Sequence, residues 1–128
     1  LRVLVIDDDV DTCSNLKDIL EMDRCDVEVA GSFAQALNGR NWSQFAAILM
    51  DRRLPDGMAE DFLPVVREQA PQASIIIITG FADLNGAIAA MRHGATDYIL
   101  KPISPDALRA TVARLIERRR LTRAKEQS

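Results

Sequence analysis

Cysteine and histidine are scarce. The 128-residue chain holds two cysteines, Cys13 and Cys25, and a single histidine, His93. The cysteines have neither metal-binding nor redox spacing, so the sequence-based expectation is a reduced, cytoplasmic setting. Long apolar runs are absent: no stretch approaches the ~20 residues that span a bilayer. The N-terminus lacks the charged-then-apolar pattern of a secretory signal. A surplus of positive charge is missing too, and a net charge of −3 makes no general case for nucleic-acid binding. The charge that exists is unevenly placed. Arg118, Arg119, Arg120, Arg123 and Lys125 gather near the C-terminus, whereas Asp7, Asp8 and Asp9 crowd the end of the first apolar run. The chain opens on Leu1 almost inside a strand, as expected of a segment cut from a longer protein.

What is present suits one ordinary globular domain: the length allows one core, and 48% of residues are hydrophobic. Four short apolar runs stand out. Val3–Ile6 runs into Asp7-Asp8-Asp9, Ala46–Met50 into Asp51, Ile75–Ile78 into Thr79-Gly80, and Tyr98–Leu100 into Lys101-Pro102. Continuous apolar runs of this length read as strands buried on both faces. In an open parallel sheet, ligands bind outside the carboxyl ends of the strands. Three carboxylates, a hydroxyl and an ammonium are therefore expected at one rim.

Between these runs lie helical patterns. Cys13, Leu16 and Leu20 predict a first helix. Asp26–Ala30 alternates, as an exposed edge strand does, and Ser32 caps a short helix carrying Phe33, Ala36 and Leu37. Leu54-Pro55-Asp56-Gly57 predicts a turn. A third helix carries Phe62, Val65 and Val66, with Pro64 expected in its first turn or at a kink. A fourth, about Leu84 to His93, turns Leu84, Ile88 and Met91 inward and stops at Gly94. Ser104-Pro105-Asp106 opens a fifth, with Leu108, Val112, Leu115 and Ile116 as its buried stripe. Residues 1–116 then make one domain. Residues 117–128 read either as a solvated helix end or as a charged linker helix toward a domain outside this chain. Alternating strands and helices imply an α/β fold with a parallel sheet covered on both faces.

The rim residues carry the chemistry. Asp7, Asp8 and Asp51 would repel one another if brought close, and a divalent cation relieves that repulsion. Magnesium takes hard oxygen ligands, commonly one or two carboxylates plus phosphate. Asp8 is the expected ligand, with Asp7 acting through a water or orienting Asp8. Asp9 reads better as the start of the first helix, where negative charge suits the dipole. Asp51 alone could simply cap the next turn, but a carboxylate at the end of a buried strand can also act as a nucleophile toward phosphorus. Lys101 could pair with Asp51, or snorkel from the sheet to the surface. Thr79 adds a hydroxyl donor, and Tyr98 alone reads as a half-buried strand aromatic.

Ile6-Asp7-Asp8, Met50 through Gly57, Ile78-Thr79-Gly80 and Ile99-Leu100-Lys101-Pro102 together resemble the receiver domain of two-component response regulators, over about Leu1 to Ile116. The resemblance implies a single flavodoxin-like (βα)5 doubly wound parallel sheet in the order 2-1-3-4-5. It also implies that Asp51 accepts a phosphoryl group from the phosphohistidine of a histidine kinase or histidine phosphotransfer protein. Mg2+, with Mn2+ as an alternative, would be held by Asp7, Asp8, Asp51 and the backbone carbonyl of Arg53. Thr79 and Lys101 would bind phosphoryl oxygens, and Thr79 with Tyr98 would form the switch. A cis Lys101–Pro102 bond is expected. Helix 4, strand 5 and helix 5 would form the signalling face and the site of a homodimer. Arg53 and Phe81 lie where family members tune phosphoryl lifetime. Arg53 would then contact the phosphate or a rim acid and Phe81 would hinder water; the alternative is that both simply point into solvent.

Two other functions fit parts of the pattern. A magnesium-dependent aspartyl-phosphate phosphatase would need a general acid near Asp51, and His93 is expected on the wrong side of helix 4. A degenerate receiver used only for protein contact would not need the intact acid set. A C-terminal output or kinase domain is expected in the full-length chain, with no direct nucleic-acid or membrane contact by this part.

Overall fold

In a computed structural model, which describes residues 1–127, five strands form one parallel sheet. They are β1 (Arg2–Ile6), β2 (Asp26–Ala30), β3 (Ala47–Asp51), β4 (Ser74–Gly80) and β5 (Asp97–Lys101). Their spatial order is β2-β1-β3-β4-β5, with every neighbouring pair parallel. The helices are α1 (Val10–Met22), α2 (Phe33–Leu37), α3 (Ala59–Gln69), α4 (Leu84–Arg92) and α5 (Pro105–Gln127). This is the expected flavodoxin-like arrangement.

The apolar strand residues divide by period two between two cores. Leu4, Ile6, Ile48, Met50, Ile75 and Ile77 face α2, α3 and α4. Val3, Val5, Leu49, Ile76, Ile78 and Ile99 face α1 and α5. Covering both faces is why β1, β3 and β4 need unbroken apolar runs, while β2 at the edge, with Asp26 and Val29 exposed and only Ala30 fully buried, does not. The chain order starts at β1, steps one way to β2 and then back across β1 to β3. Right-handed crossovers therefore place α2, α3 and α4 on the opposite face from α1, and α5, which follows the last strand, returns to the face of α1.

Helix ends follow local chemistry. Asp9 caps α1, accepting from the Asp11 N–H at 3.3 Å and the Thr12 hydroxyl at 2.5 Å. Ser32 caps α2 through the Gln35 N–H, and Ser104 accepts from the Ala107 N–H at 3.3 Å. The predicted turn closes a two-stranded hairpin, Arg53–Leu54 against Gly57–Met58. Gly57 has φ +152°, and a Cβ there would lie 2.8 Å from the Phe62 ring. That ring stacks on Phe33, with centroids 4.0 Å apart. The Lys101–Pro102 bond is cis.

Some expectations fail in detail. Of the two places expected for Pro64, the first turn is excluded: it is the sixth residue of α3, in the helix interior. The helix continues through it because Leu63 and Val66, on either side, are fully buried, so tertiary packing outweighs the missing hydrogen bond. Val65 is exposed instead. On α4, Ile88 is exposed and the inward residues are Ala87 and Ala90, with Leu84 and Met91 at the margins. Ile116 likewise lies outside the α5 stripe of Leu108, Val112 and Leu115. α5 runs past its last buried residue to Gln127, and Ser128, the end of the expected extension, lies outside the described residues.

Candidate functional site

Strand register brings the predicted rim together. Ile6 pairs with Met50, so Asp7 and Asp51 leave neighbouring strands at one level. Asp51 pairs with Ile78 and Ile78 with Ile99, so Thr79 and Lys101 lie one and two residues beyond that level, at the carboxyl ends of β4 and β5. Asp7, Asp8 and Asp51 each present a carboxylate oxygen within 4.8 Å of the others. Lys101 Nζ lies 3.3 Å from Asp51 Oδ2 and 3.4 Å from Asp7 Oδ2.

Asp7 is almost completely buried. Its Oδ1 accepts from the Asp9 N–H at 3.0 Å, whereas its Oδ2 is buried without a hydrogen bond. Burial pushes its pKa up to about 6; the nearby Asp51 charge adds to the rise, and the Asp9 N–H and Lys101 oppose it. Burial alone would lower the Lys101 pKa, but Asp51 and Asp7 together outweigh it and raise it. A buried carboxylate oxygen that meets Lys101 Nζ at 3.4 Å without a hydrogen bond, inside a cluster of three acids, fits a divalent cation with hard oxygen ligands.

Thr79 is buried at the end of β4, and its hydroxyl donates to the Gly80 carbonyl at 3.3 Å, not to Asp51. Tyr98 is half-buried against the α3–α4 core. Phe81 is 76% exposed. Arg53 meets an acid at the rim: its Nε and Nη2 donate to the two Asp83 oxygens at 2.8 and 2.7 Å. That contact holds the Asp83 carboxyl below its ordinary pKa. The Arg53 N–H donates to Asp51 Oδ1 at 3.4 Å, a long bond.

The sequence reading missed a second arginine. Arg52, directly after Asp51, is nearly buried and pairs with Glu60 on α3 at 2.8 Å and with Asp83 at 3.5 Å. Its guanidinium fills the place where a Cβ on Gly86 would lie, in the first turns of α4. An isolated glycine inside a helical pattern was the signal, since it costs helix stability and calls for a packing reason. Asp56 was also missed beyond its turn: it accepts from the Phe33 and Ala34 N–H groups at 3.2 and 2.9 Å and caps α2 from the hairpin.

Residues 3–113 match the response regulator receiver domain family. The alginate biosynthesis transcriptional regulatory protein AlgB of Pseudomonas aeruginosa is 35% identical over 121 residues, covering 94% of this chain and 27% of that protein. The regulatory protein LuxO of Vibrio cholerae is 36% identical over 93 residues, covering 73% of this chain and 20% of that protein. The chain thus spans about a quarter of the length of these curated relatives. Among solved structures, a response regulator receiver domain protein from Clostridium thermocellum superposes with a TM-score of 0.86 at 32% identity, covering 94% of this chain and 98% of that one. The beryllofluoride-activated NtrC4 receiver domain dimer gives 0.83 at 30% identity, covering 91% and 97%. With its five-stranded parallel sheet and its acids and lysine at one rim, this chain belongs to the response regulator receiver domain family of two-component systems.

Proposed function

We propose that Asp51 is the phosphoacceptor of a phosphorelay. An Asp51 carboxylate oxygen attacks the phosphorus of a phosphohistidine on a histidine kinase or phosphotransfer protein. The P–N bond breaks, and the imidazole leaves with its electron pair and takes up a proton. The observation that carries this reading is Lys101 Nζ, placed 3.3 Å from Asp51 and able to follow the charge onto a phosphoryl oxygen. Thr79 would donate its hydroxyl to a second phosphoryl oxygen after giving up the Gly80 carbonyl. Asp7, Asp8, Asp51 and the Arg53 carbonyl would hold Mg2+ or Mn2+. When bound, the ion would neutralise the carboxylates and the phosphoryl oxygens together. Arg53 and Phe81 would slow attack by water on the product.

A phosphoryl group adds about −1.5 to −2 charge and three acceptor oxygens. Thr79 and Tyr98 would couple that change to the face formed by α4, β5 and α5, which would control an output or form a homodimer. Residues 117–128 would lead into a C-terminal output or kinase domain, and the setting would be cytoplasmic. No described helix is long and apolar enough to cross a membrane. The phosphatase alternative loses support because His93 caps the C-terminal end of α4, remote from the rim that α4 leaves.

Incubation with a small acyl phosphate and Mg2+, read by intact mass, tests the proposal. A single phosphoryl adduct that disappears in Asp51→Asn is expected. Failure of the unmodified protein to label, or retention of the adduct in Asp51→Asn, refutes it.

A further inference from the structure

Two arginines follow the acceptor, and one carboxylate binds both. Asp83 lies in the short turn Phe81–Asp83 between β4 and α4, across the rim from the loop that carries Arg52 and Arg53. Its bidentate contact with Arg53 therefore ties the loop after β3 to the loop after β4, on the two flanks of the strand ends that hold Asp51 and Thr79.

An exposed ion pair usually contributes little, because two long side chains must be ordered to form it. Here one end is fixed in advance. Asp83 is also paired to Arg52, whose side chain is only 12% exposed. Arg52 in turn is held by Glu60, by its N–H to the Ile78 carbonyl at 2.9 Å, and by the slot above Gly86. Only Arg53, with a side chain 63% exposed, remains free to swing.

We propose that Asp83 is a positioning residue for the phosphoryl chemistry of Asp51: it holds the Arg53 guanidinium as a bar between the two loops, on the water side of the acceptor. This rests on Asp51 being the phosphoacceptor. In the hydrolysis it controls, a water oxygen bonds to phosphorus and the acyl P–O bond breaks. The Asp51 carboxylate leaves with the electron pair, and the water proton passes to solvent. With the bar closed, water reaches the phosphorus less often; with Asp83 neutral, Arg53 swings away and the path opens.

The test is a double-mutant cycle on phosphoryl half-life, using the whole chain labelled by a small acyl phosphate with Mg2+. Asp83→Asn keeps the size and removes the charge. Asp83→Asn and Arg53→Ala should each shorten the half-life about three- to fivefold, the range open to a bar closed most but not all of the time. The double variant should shorten it no further, and Asp83→Glu should restore most of the lifetime. Raising the salt should shorten the half-life of the unmodified protein and leave that of Arg53→Ala unchanged, because screening acts on the exposed pair. A purely structural role for Asp83 would not give that salt difference. An unchanged or longer half-life in Asp83→Asn, or additive effects in the double variant, overturns the proposal while leaving Asp51 as acceptor. Failure of the unmodified protein to label overturns the acceptor reading and this proposal with it.

Discussion

Replacing Asp7 by Asn should make the metal-free protein more stable at neutral pH, although it damages the site. Asp7 is buried, and its pKa is raised from 3.8 to about 6. A carboxyl with a raised folded pKa holds a proton that the unfolded chain gives up, between about pH 4 and 6. Its favourable contribution is therefore complete below the unfolded value and lost as pH rises through the folded one. The loss corresponds to roughly two pKa units, about 3 kcal/mol at most. Asn is neutral at every pH, and its side-chain oxygen can keep the Asp9 N–H bond. Allowing for relaxation and for water reaching the half-exposed Lys101, we expect Asp7→Asn to gain about 1–3 kcal/mol at pH 7.5, which urea unfolding in a chelating buffer would read as a midpoint higher by ~1 M. The gap should shrink as the pH approaches 4. Mg2+ at ten times its dissociation constant should stabilise the unmodified protein by about 1.4 kcal/mol, and Asp7→Asn by much less. A variant less stable than the parent in chelator at pH 7.5 would refute the reasoning, because it would mean that the buried charge is already compensated.

The remaining predictions concern the loops. Gly86→Ala should destabilise by about 1 kcal/mol, despite a helix-propensity gain of about that size, because the new Cβ displaces Arg52 from Glu60. In an Arg52→Ala background the same change should stabilise, and thermal melts of the four proteins decide it. Asp56→Ala removes the two bonds that cap α2 from the hairpin and should cost about 1 kcal/mol in urea unfolding. An unchanged midpoint would show that water replaces the cap at no loss. Arg53→Ala with Phe81→Ala should shorten the phosphoryl half-life, and an unchanged or longer half-life would remove both residues from rate control.

The sheet was legible because its signals are local. β1, β3 and β4 are unbroken apolar runs ending on Asp7, Asp51 and Thr79, and the edge strand β2 declares itself by the alternating sequence Asp26-Val27-Glu28-Val29, although Val29 is exposed as well. The acids and Lys101 were legible for the same reason, since strand ends locate them without any tertiary knowledge. The helix faces were harder to read. On α4 hydrophobicity favoured Ile88, but the helix lies on the sheet through Ala87 and Ala90, where small side chains permit close approach. On α3 Pro64 was expected in the first turn or at a kink, and it lies in the helix interior between the buried Leu63 and Val66. The Arg52–Glu60–Asp83 cluster joins residues from three elements and has no periodicity. Only Gly86 marked it, and that glycine is explained once the guanidinium beside it is seen.

These misread features bear on how α4 is attached. α1 is anchored by Cys13, Leu16, Ile19 and Leu20, and α5 by Leu108, Val112 and Leu115, whereas the fully inward residues of α4 are two alanines. At about 25 cal/mol per Å2 of apolar surface, an alanine contributes much less than a leucine, so α4 is the long helix least held by burial. Arg52 supplies part of what burial does not, and it does so through charge, one residue from Asp51. Charge placed on Asp51 acts on ionic attachments and leaves apolar ones almost untouched. The helix tied down by an arginine next to Asp51, the proposed acceptor, is thus the one whose position should respond to phosphorylation. Hydrogen exchange compared with and without a beryllofluoride phosphate mimic should change in α4 while the α1 core stays protected. Arg52→Ala should bring α4 exchange in the unphosphorylated protein toward the mimic-bound level. If α4 and α1 respond equally, or if Arg52→Ala leaves α4 unchanged, the ionic tie is not what sets the position of this helix.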